Sequence, residues 1–278
     1  MRIAVLSGKG GVGKTFLAVN LAASAENAVY IDCDVEEPNG RLFFKPEQVQ
    51  AKVIATKLPV ADPQLCDGCR KCVDFCQFNA LVYIKKKLKV FSEVCHSCGG
   101  CQIVCPQHAI QEVERPIGVV EHGMHKQTHV ITGVLNFGEA SGVPVIQGAL
   151  REGFRAGETV MIDCPPGSAC TVMESVSESD YCVLAVEPTA FGFHNFRMVY
   201  ELVSLLEKPC GVVINKMDEP YEELENFCKE HKIPVLLRIP FSEKMARICA
   251  EGKVAVEEDE ETAEMFQSLL EKIGGAVK

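Results

Sequence analysis

Eight residues near the start of the chain, Gly8-Lys9-Gly10-Gly11-Val12-Gly13-Lys14-Thr15, restrict its fold more than any other stretch. They follow the apolar run Ile3-Ala4-Val5-Leu6 and precede Phe16-Leu17-Ala18-Val19-Asn20-Leu21-Ala22, which reads as strand, glycine loop and helix. In that context G-x-x-x-x-G-K-[ST] points successive backbone N–H groups into one concavity at a helix N-terminus, where a triphosphate fits. Gly8, Gly10, Gly11, Val12, Gly13, Lys14, Thr15 and Phe16 are therefore candidate nucleotide-binding residues. Lys14 reaches the β- and γ-phosphates in this reading, and the Thr15 hydroxyl ligates Mg2+. The alternative, a glycine-rich turn with no ligand, leaves the Lys-Thr pair and the following helix unexplained.

The chain has 278 residues, 47% of them hydrophobic, enough for one large or two modest domains with a full core. No apolar run reaches the roughly 18 residues of a membrane span. Arg2 is followed at once by a core strand and the glycine loop rather than by a secretory leader, so a cytoplasmic protein is expected. A net charge of −10 argues against general nucleic-acid binding, which needs clustered Lys and Arg. Fifteen cysteines in a reducing compartment point to metal rather than disulfides.

Their spacing decides which metal. Cys66-x2-Cys69-x2-Cys72-x3-Cys76 is repeated 29 residues later as Cys95-x2-Cys98-x2-Cys101-x3-Cys105-Pro106. Each unit matches the run C-x2-C-x2-C-x3-C-P of bacterial ferredoxins, whose first three thiolates hold one cubane cluster while the fourth ligates the other. The expected ligands are Cys66, Cys69, Cys72 and Cys105 for one 4Fe-4S cluster, and Cys95, Cys98, Cys101 and Cys76 for the second. Gln77 stands where the run expects Pro, which questions a turn conformation but not the ligands. Zinc is the rival, yet a third and fourth cysteine at these intervals are not zinc-ribbon spacing. Between the units, strands at 80–84 and 88–91 flank Lys85-Lys86-Lys87, read as a hairpin tip with solvated lysines. Docking of an acidic redox partner is the sharper alternative for that tip.

Carboxylates end two other predicted strands. Ala28-Val29-Tyr30-Ile31 runs into Asp32-Cys33-Asp34, and acids at the C-terminal end of a parallel strand face the ligand crevice of an α/β sheet. Glu158-Thr159-Val160-Met161-Ile162 leads to Asp163, a Walker B position whose carboxylate holds Mg2+. The loop Pro165-Pro166-Gly167 beyond it is placed to sense the γ-phosphate. Further strands are expected at 53–56, 117–120, 129–135, 181–186 and 211–214, and helices at 143–150 and about 194–207. His122, His125 and His129 do not share one strand face and read as surface histidines rather than ligands. Cys170 reads as a buried small hydrophobe. Phe266, Leu269, Leu270 and Ile273 mark a C-terminal helix whose Glu-rich polar face suits packing on the sheet better than lying on anionic lipid.

Lys9 adds a second lysine to the loop, and G-K-G-G-V-G-K-T resembles the deviant Walker A motif of the MinD/ParA/nitrogenase-iron-protein ATPases. The resemblance covers nearly the whole chain. It implies two subunits face to face, with Lys9 crossing to the partner's nucleotide and stabilising charge there. It makes Asp32-x-Asp34 a switch, in which Asp34 orients the attacking water and Asp32 supports Mg2+. By the same resemblance Asn215 reads the adenine base, and Pro240 and Phe241 line the base pocket. Asn215-Lys216-Met217-Asp218 also fits the guanine-binding pattern N-K-x-D, which leaves GTP as the alternative. The catalytic candidates are thus Lys9, Lys14, Asp34 and Asp163, with Thr15, Asp32 and Asp163 for Mg2+. Gly138-Glu139-Ala140 resembles a segment that follows a ferredoxin insert in one branch of this superfamily, without a role for Glu139. In the nitrogenase iron protein a cysteine at an interval like that of Cys170 bridges two subunits through a cluster, but its bridging companion is missing here.

The expected fold is α/β, a mostly parallel sheet with helices on both faces of MinD-like P-loop type, carrying a small α+β ferredoxin-like insert. Residues 1–58 and 116–278 would form the ATPase and 59–115 the insert. The expected function is an ATPase, as a homodimer or a pseudo-dimer with a paralogue, whose nucleotide state controls electron transfer from two 4Fe-4S clusters to a partner metalloprotein. A metallocluster assembly or insertion factor similar to the Mrp-type scaffolds is the alternative. A positioning or partition ATPase is a remote third, and neither nucleic acid nor membrane is an expected partner.

Overall fold

The structure, a computed structural model, describes residues 1–154 and 159–277; Glu158 lies outside them. In chain order the strands are β1 (Arg2–Ser7), β2 (Val29–Asp32), β3 (Glu47–Ala61), β4 (Leu81–Ile84), β5 (Lys87–Val90), β6 (Ile110–His125), β7 (Thr128–Leu135), β8 (Val160–Asp163), β9 (Tyr181–Val186), β10 (Cys210–Met217) and β11 (Val235–Pro240). The helices are α1 (Lys14–Ser24), α2 (Gly40–Phe44), α3 (Lys71–Phe75), α4 (Gly100–Ile103), α5 (Val143–Gly153), α6 (Cys170–Val176), α7 (Ala190–Leu205), α8 (Glu222–Glu230), α9 (Glu243–Ala250), α10 (Ala255–Glu258) and α11 (Glu260–Val277).

The main sheet runs β11-β10-β9-β1-β8-β2-β7-β6-β3. From β11 to β7 every pairing is parallel, and β6 then pairs antiparallel with both β7 and β3. Strands β2, β8 and β9 are buried along their whole length, and only Arg2 of β1 reaches solvent, as continuous apolar runs in a two-sided sheet require. Two cores result. One packs α5, α6, α7 and α8 on a face through Ile146, Val172, Phe196 and Leu224. The other packs α1 and α11 on the opposite face through Leu17, Leu21, Phe266 and Ile273. The expected α/β architecture, a mostly parallel sheet covered by helices on both faces, is therefore present.

Residues 53–56 are not a short strand. They belong to β3, fifteen residues long, which pairs with β6 from Glu47 opposite Met124 to Ala61 opposite Ile110. Most of β3 is exposed on both sides, so it lacks the apolar alternation that marks a half-buried strand, and only its middle signals in the sequence. Both strands run through positions 59 and 115 without a break. The helix expected at 194–207 starts earlier, at Ala190, because Thr189 caps it by accepting from Gly192 N–H at 3.0 Å.

The ribbon carries residues 62–109 at its far end, where α3, α4 and the β4–β5 hairpin surround a small core of Cys72, Leu81, Cys101 and Ile110. The internal repeat is repeated in the backbone. Gly68 and Ser97 occupy equivalent positions at φ 76° and 54°, Arg70 and Gly99 at 65° and 71°, and Asn79 and His108 at 53° and 48°. The Asn79 N–H reaches the Cys76 carbonyl at 3.2 Å and the His108 N–H that of Cys105 at 3.1 Å. Gln77 and Pro106 thus sit in the same turn.

Helix α11 buries Phe266, Leu269 and Ile273 completely against the sheet. No helix among the described residues is long and apolar enough to cross a membrane. Leu269→Ala is expected to lower unfolding free energy by about 2–5 kcal/mol, read as a lower denaturant midpoint at unchanged slope.

Candidate functional site

The C-terminal ends of β1, β2 and β8 lie side by side, with Asp32 level with Asp163 and Val5 level with Asp163. The glycine loop leaves β1 and returns as α1, which begins at Lys14. Gly11 and Gly13 hold φ of 79° and 97°, values that a side chain resists. A Cβ on Gly13 would stand 2.3 Å from the Asn215 amide nitrogen, and that amide donates to the Val12 carbonyl at 2.7 Å. Asn215 therefore braces the loop as well as reaching it from β10.

Lys14 is the only lysine buried among the described residues. Its Nζ lies 2.5 Å from Asp163 Oδ1 and 4.0 Å from Asp34 Oδ2. The Tyr30 hydroxyl donates to Asp163 Oδ2 at 2.8 Å, while Asp32 accepts the N–H of Gly40 at 2.9 Å and of Asp34 at 3.1 Å. Burial alone would lower the Lys14 pKa, but the charge and hydrogen bond of Asp163 leave it raised. Burial pushes Asp32 up to about 8, with neighbouring Asp163 adding to the shift. Asp34 is raised for the same first reason, burial, against the pull of Lys14. Thr15 is half-buried at the second position of α1.

Lys9 points elsewhere. Its Nζ lies 2.5 Å from Glu187, which also takes Lys216 at 2.8 Å, and Lys216 donates to the Gly11 carbonyl at 2.6 Å. Glu187 is held below its ordinary pKa, because these two lysines outweigh its burial. Sequence reasoning missed Glu187, although it closes β9 at the same sheet edge where acids were sought in β2 and β8. It missed Tyr30 as well, which carries no signal inside an apolar run.

Beside Gly13 a cavity of about 210 Å3 is lined by Phe16, Asn215, Pro240 and Phe241, all singled out above, and by Met245 and Cys249 of α9. Those last two belong to an amphipathic helix with no motif to mark them. Asp218 is not among the residues lining it.

The cysteines form two further cavities. Cys66, Cys69, Cys72 and Cys105 line one, against Tyr83 and Leu88 of the hairpin, and Cys76, Cys95, Cys98 and Cys101 line the other. The Ala109 N–H donates to Cys105 Sγ at 3.3 Å. Burial raises the Cys72 thiol and pushes Cys101 to about 11, so a bound cation is what would favour their thiolates. Among the described residues no three His, Cys, Asp or Glu groups converge on a point that would hold a single metal ion. The eight thiols are shared four and four between the two cavities.

The three histidines do not assemble: His125 faces Glu257 at 3.0 Å, whereas His122 and His129 meet edge to face at 6.2 Å. Cys170 is exposed, not buried, because it opens α6 while Val172, Ser175 and Val176 turn inward.

A parallel sheet whose central strand feeds a Lys-Thr glycine loop, with Lys14, Asp34 and Asp163 converging at the strand ends, defines a P-loop nucleotide-binding protein. Residues 3–256 match the CobQ/CobB/MinD/ParA nucleotide binding domain, and the chain belongs to that family. It is similar to two uncharacterized proteins of Methanocaldococcus jannaschii. MJ0578 is 28% identical over 279 residues, covering 98% of this chain and 96% of that protein. MJ0579 is 25% identical over 260 residues, covering 91% and 90%. Its fold is similar to that of the septum site-determining protein MinD of Pyrococcus horikoshii complexed with Mg-ADP, at a TM-score of 0.61, 16% identity and coverage of 98% and 95%. A putative plasmid partition protein of Borrelia burgdorferi bound to AMPPNP gives 0.56, 14%, and 98% and 97%. At such identities the likeness is one of fold.

Without nucleotide and Mg2+, the folded protein holds the Asp32 proton more tightly than the unfolded chain, where the ordinary value is 3.8. That contribution favours the fold fully below about pH 4 and is lost as pH rises toward about 8. Between about pH 5 and 8 the melting temperature of the wild type is expected to fall faster than that of Asp32→Asn. Parallel curves would refute this.

Proposed function

We propose that the chain is an ATPase that carries two 4Fe-4S clusters and couples its nucleotide state to electron transfer toward a partner metalloprotein. The observation that carries the reading is the presence, in one chain, of the Lys14–Asp163 site and of two cavities each lined by four cysteines. In this reading Lys14 exchanges Asp163 for the β- and γ-phosphates when nucleotide enters, which frees the Asp163 carboxylate. Thr15, Asp32 and Asp163 would hold Mg2+, which supplies charge neutralisation on the phosphates. Asp34, released from Lys14, orients the attacking water. Lys9 leaves Glu187 and reaches the nucleotide of a second subunit, so that closure of the dimer completes each site. An adenine base fits the apolar cavity between Phe16 and Phe241, and Asp218, which a guanine would need, is not among the residues lining it. The eight cysteines would hold the clusters in the two sets of four, and the clusters supply one-electron chemistry when bound.

Lys14→Ala is expected to reduce Mg-ATP turnover at least about a hundredfold, as loss of a phosphate-stabilising charge does. In competition binding GTP is expected to be at least about tenfold weaker than ATP, and equal affinity would remove the adenine assignment. Anaerobically purified protein is expected to hold about eight iron atoms per chain, and the double substitution Cys69→Ser, Cys72→Ser about half as many. Iron-free protein, or zinc in its place, would overturn the redox reading and leave the ATPase reading standing.

A further inference from the structure

Glu139 takes no part in the nucleotide chemistry, yet its side chain is only 8% exposed and is locked to Arg115 of β6. Arg115 grips it with both terminal nitrogens, Nη1 to Oε1 at 2.8 Å and Nη2 to Oε2, and Nη2 also donates to the Ser92 carbonyl at 3.4 Å. The remaining donor, Arg115 Nε, is buried with no hydrogen-bond partner among the described residues. A bidentate pair with so little exposure fixes the two side chains in one relative orientation, so displacement of either is passed to the other.

Each end of the pair leads to a different site. Ser92 stands three residues before Cys95, and the loop that follows it, with His96 and Cys98, lines a cleft against Pro144 at the start of α5. Glu139 lies in the loop between β7 and α5, whose two ends both meet Val35. The Leu135 N–H donates to the Val35 carbonyl at 2.8 Å. A Cβ on Gly142 would stand 2.7 Å from Val35 Cγ2 and 3.9 Å from Thr171 Cγ2. Val35 follows Asp34, so movement of the loop after β2 reaches both ends of the 136–141 loop that carries Glu139, at Leu135 and at Gly142.

We propose that the Arg115–Glu139 pair is the link through which nucleotide state reaches the cavity of Cys76, Cys95, Cys98 and Cys101, which is thereby the nucleotide-facing end of the cysteine module. The Cys66, Cys69, Cys72 and Cys105 cavity lies against the β4–β5 hairpin instead, and no residue of α5 lines it. The proposal rests on the nucleotide-binding part of the reading above. Arg115 and Glu139 act as positioning residues, touching neither phosphate nor thiol.

The test is hydrogen exchange on the full chain, purified anaerobically, with and without Mg2+ and a non-hydrolysable ATP analogue. In the wild type, peptides covering 92–104 change exchange rate by about fivefold or more, the lower end of ordinary site-to-site coupling, while those covering 62–72, which hold Cys66, Cys69 and Cys72, change less. Glu139→Gln and Arg115→Lys abolish that change at unaltered nucleotide affinity and iron content. Persistence of the change in both variants overturns the proposal, as does its absence in wild type that binds the analogue. An equal response at 62–72 overturns the choice of cavity. Should Arg115→Lys fail to fold, Glu139→Gln, which keeps the shape of the side chain, decides alone. Iron-free protein defeats the redox reading, but the exchange measurement still judges the link.

Discussion

A lysine buried among three carboxylates is the constraint around which this protein is built. Lys14 is unusual in having almost no contact with water, and removing an ammonium from water is tolerated only where opposite charge and hydrogen bonds replace it. Asp163 and Asp34 supply the charge, and Tyr30 and the backbone N–H groups of Asp34 and Gly40 fix the acids in turn. That arrangement needs β1, β2 and β8 adjacent, parallel and in one register, because only then do a loop lysine and two strand-end acids meet. The central sheet and the site are one solution to one electrostatic problem. In the proposed reading a polyphosphate competes for the same lysine, which would make the site responsive to nucleotide rather than merely complementary to it.

The second lysine shows the same logic at the surface. Lys9 and Lys216 share Glu187, and Lys216 ties that group to the carbonyl of Gly11. The loop is thus held from three sides: by Asp163 through Lys14, by Asn215 through the Val12 carbonyl, and by Glu187 through two cations. Each support comes from a different strand, so the glycines can keep left-handed angles that the loop alone would not favour.

The ribbon of β3 and β6 joins this machinery to the cysteine module. It is continuous with the main sheet at one end and with the small Cys72–Leu81–Cys101–Ile110 core at the other, so the module is attached by backbone hydrogen bonds and not by a flexible tether. The two halves of the module repeat the same left-handed residues at the same offsets, and each cavity draws three cysteines from one unit and one from the other.

Much of this was legible in the residues. The glycine loop, the buried strands and the cysteine spacing are local patterns, and each depends on chemistry that acts within a few residues: backbone angles at Gly11 and Gly13, two-sided burial of β1, β2 and β8, and left-handed turns between thiols. Long-range pairings were not legible. Nothing near Glu187 or Tyr30 shows that they face Lys9 and Asp163, because those partners are 178 and 133 residues away in the chain. The full extent of β3 was hidden because an exposed ribbon needs no apolar alternation, and Cys170 was misjudged because a helix start can present a thiol outward. The sequence by itself determined the glycine loop and the two cysteine units from which the proposed chemistry is argued, since both are encoded in short spacings. Only the tertiary structure decided which charges neutralise one another and how the two sites are joined, because electrostatic partners are chosen by distance in space and not along the chain.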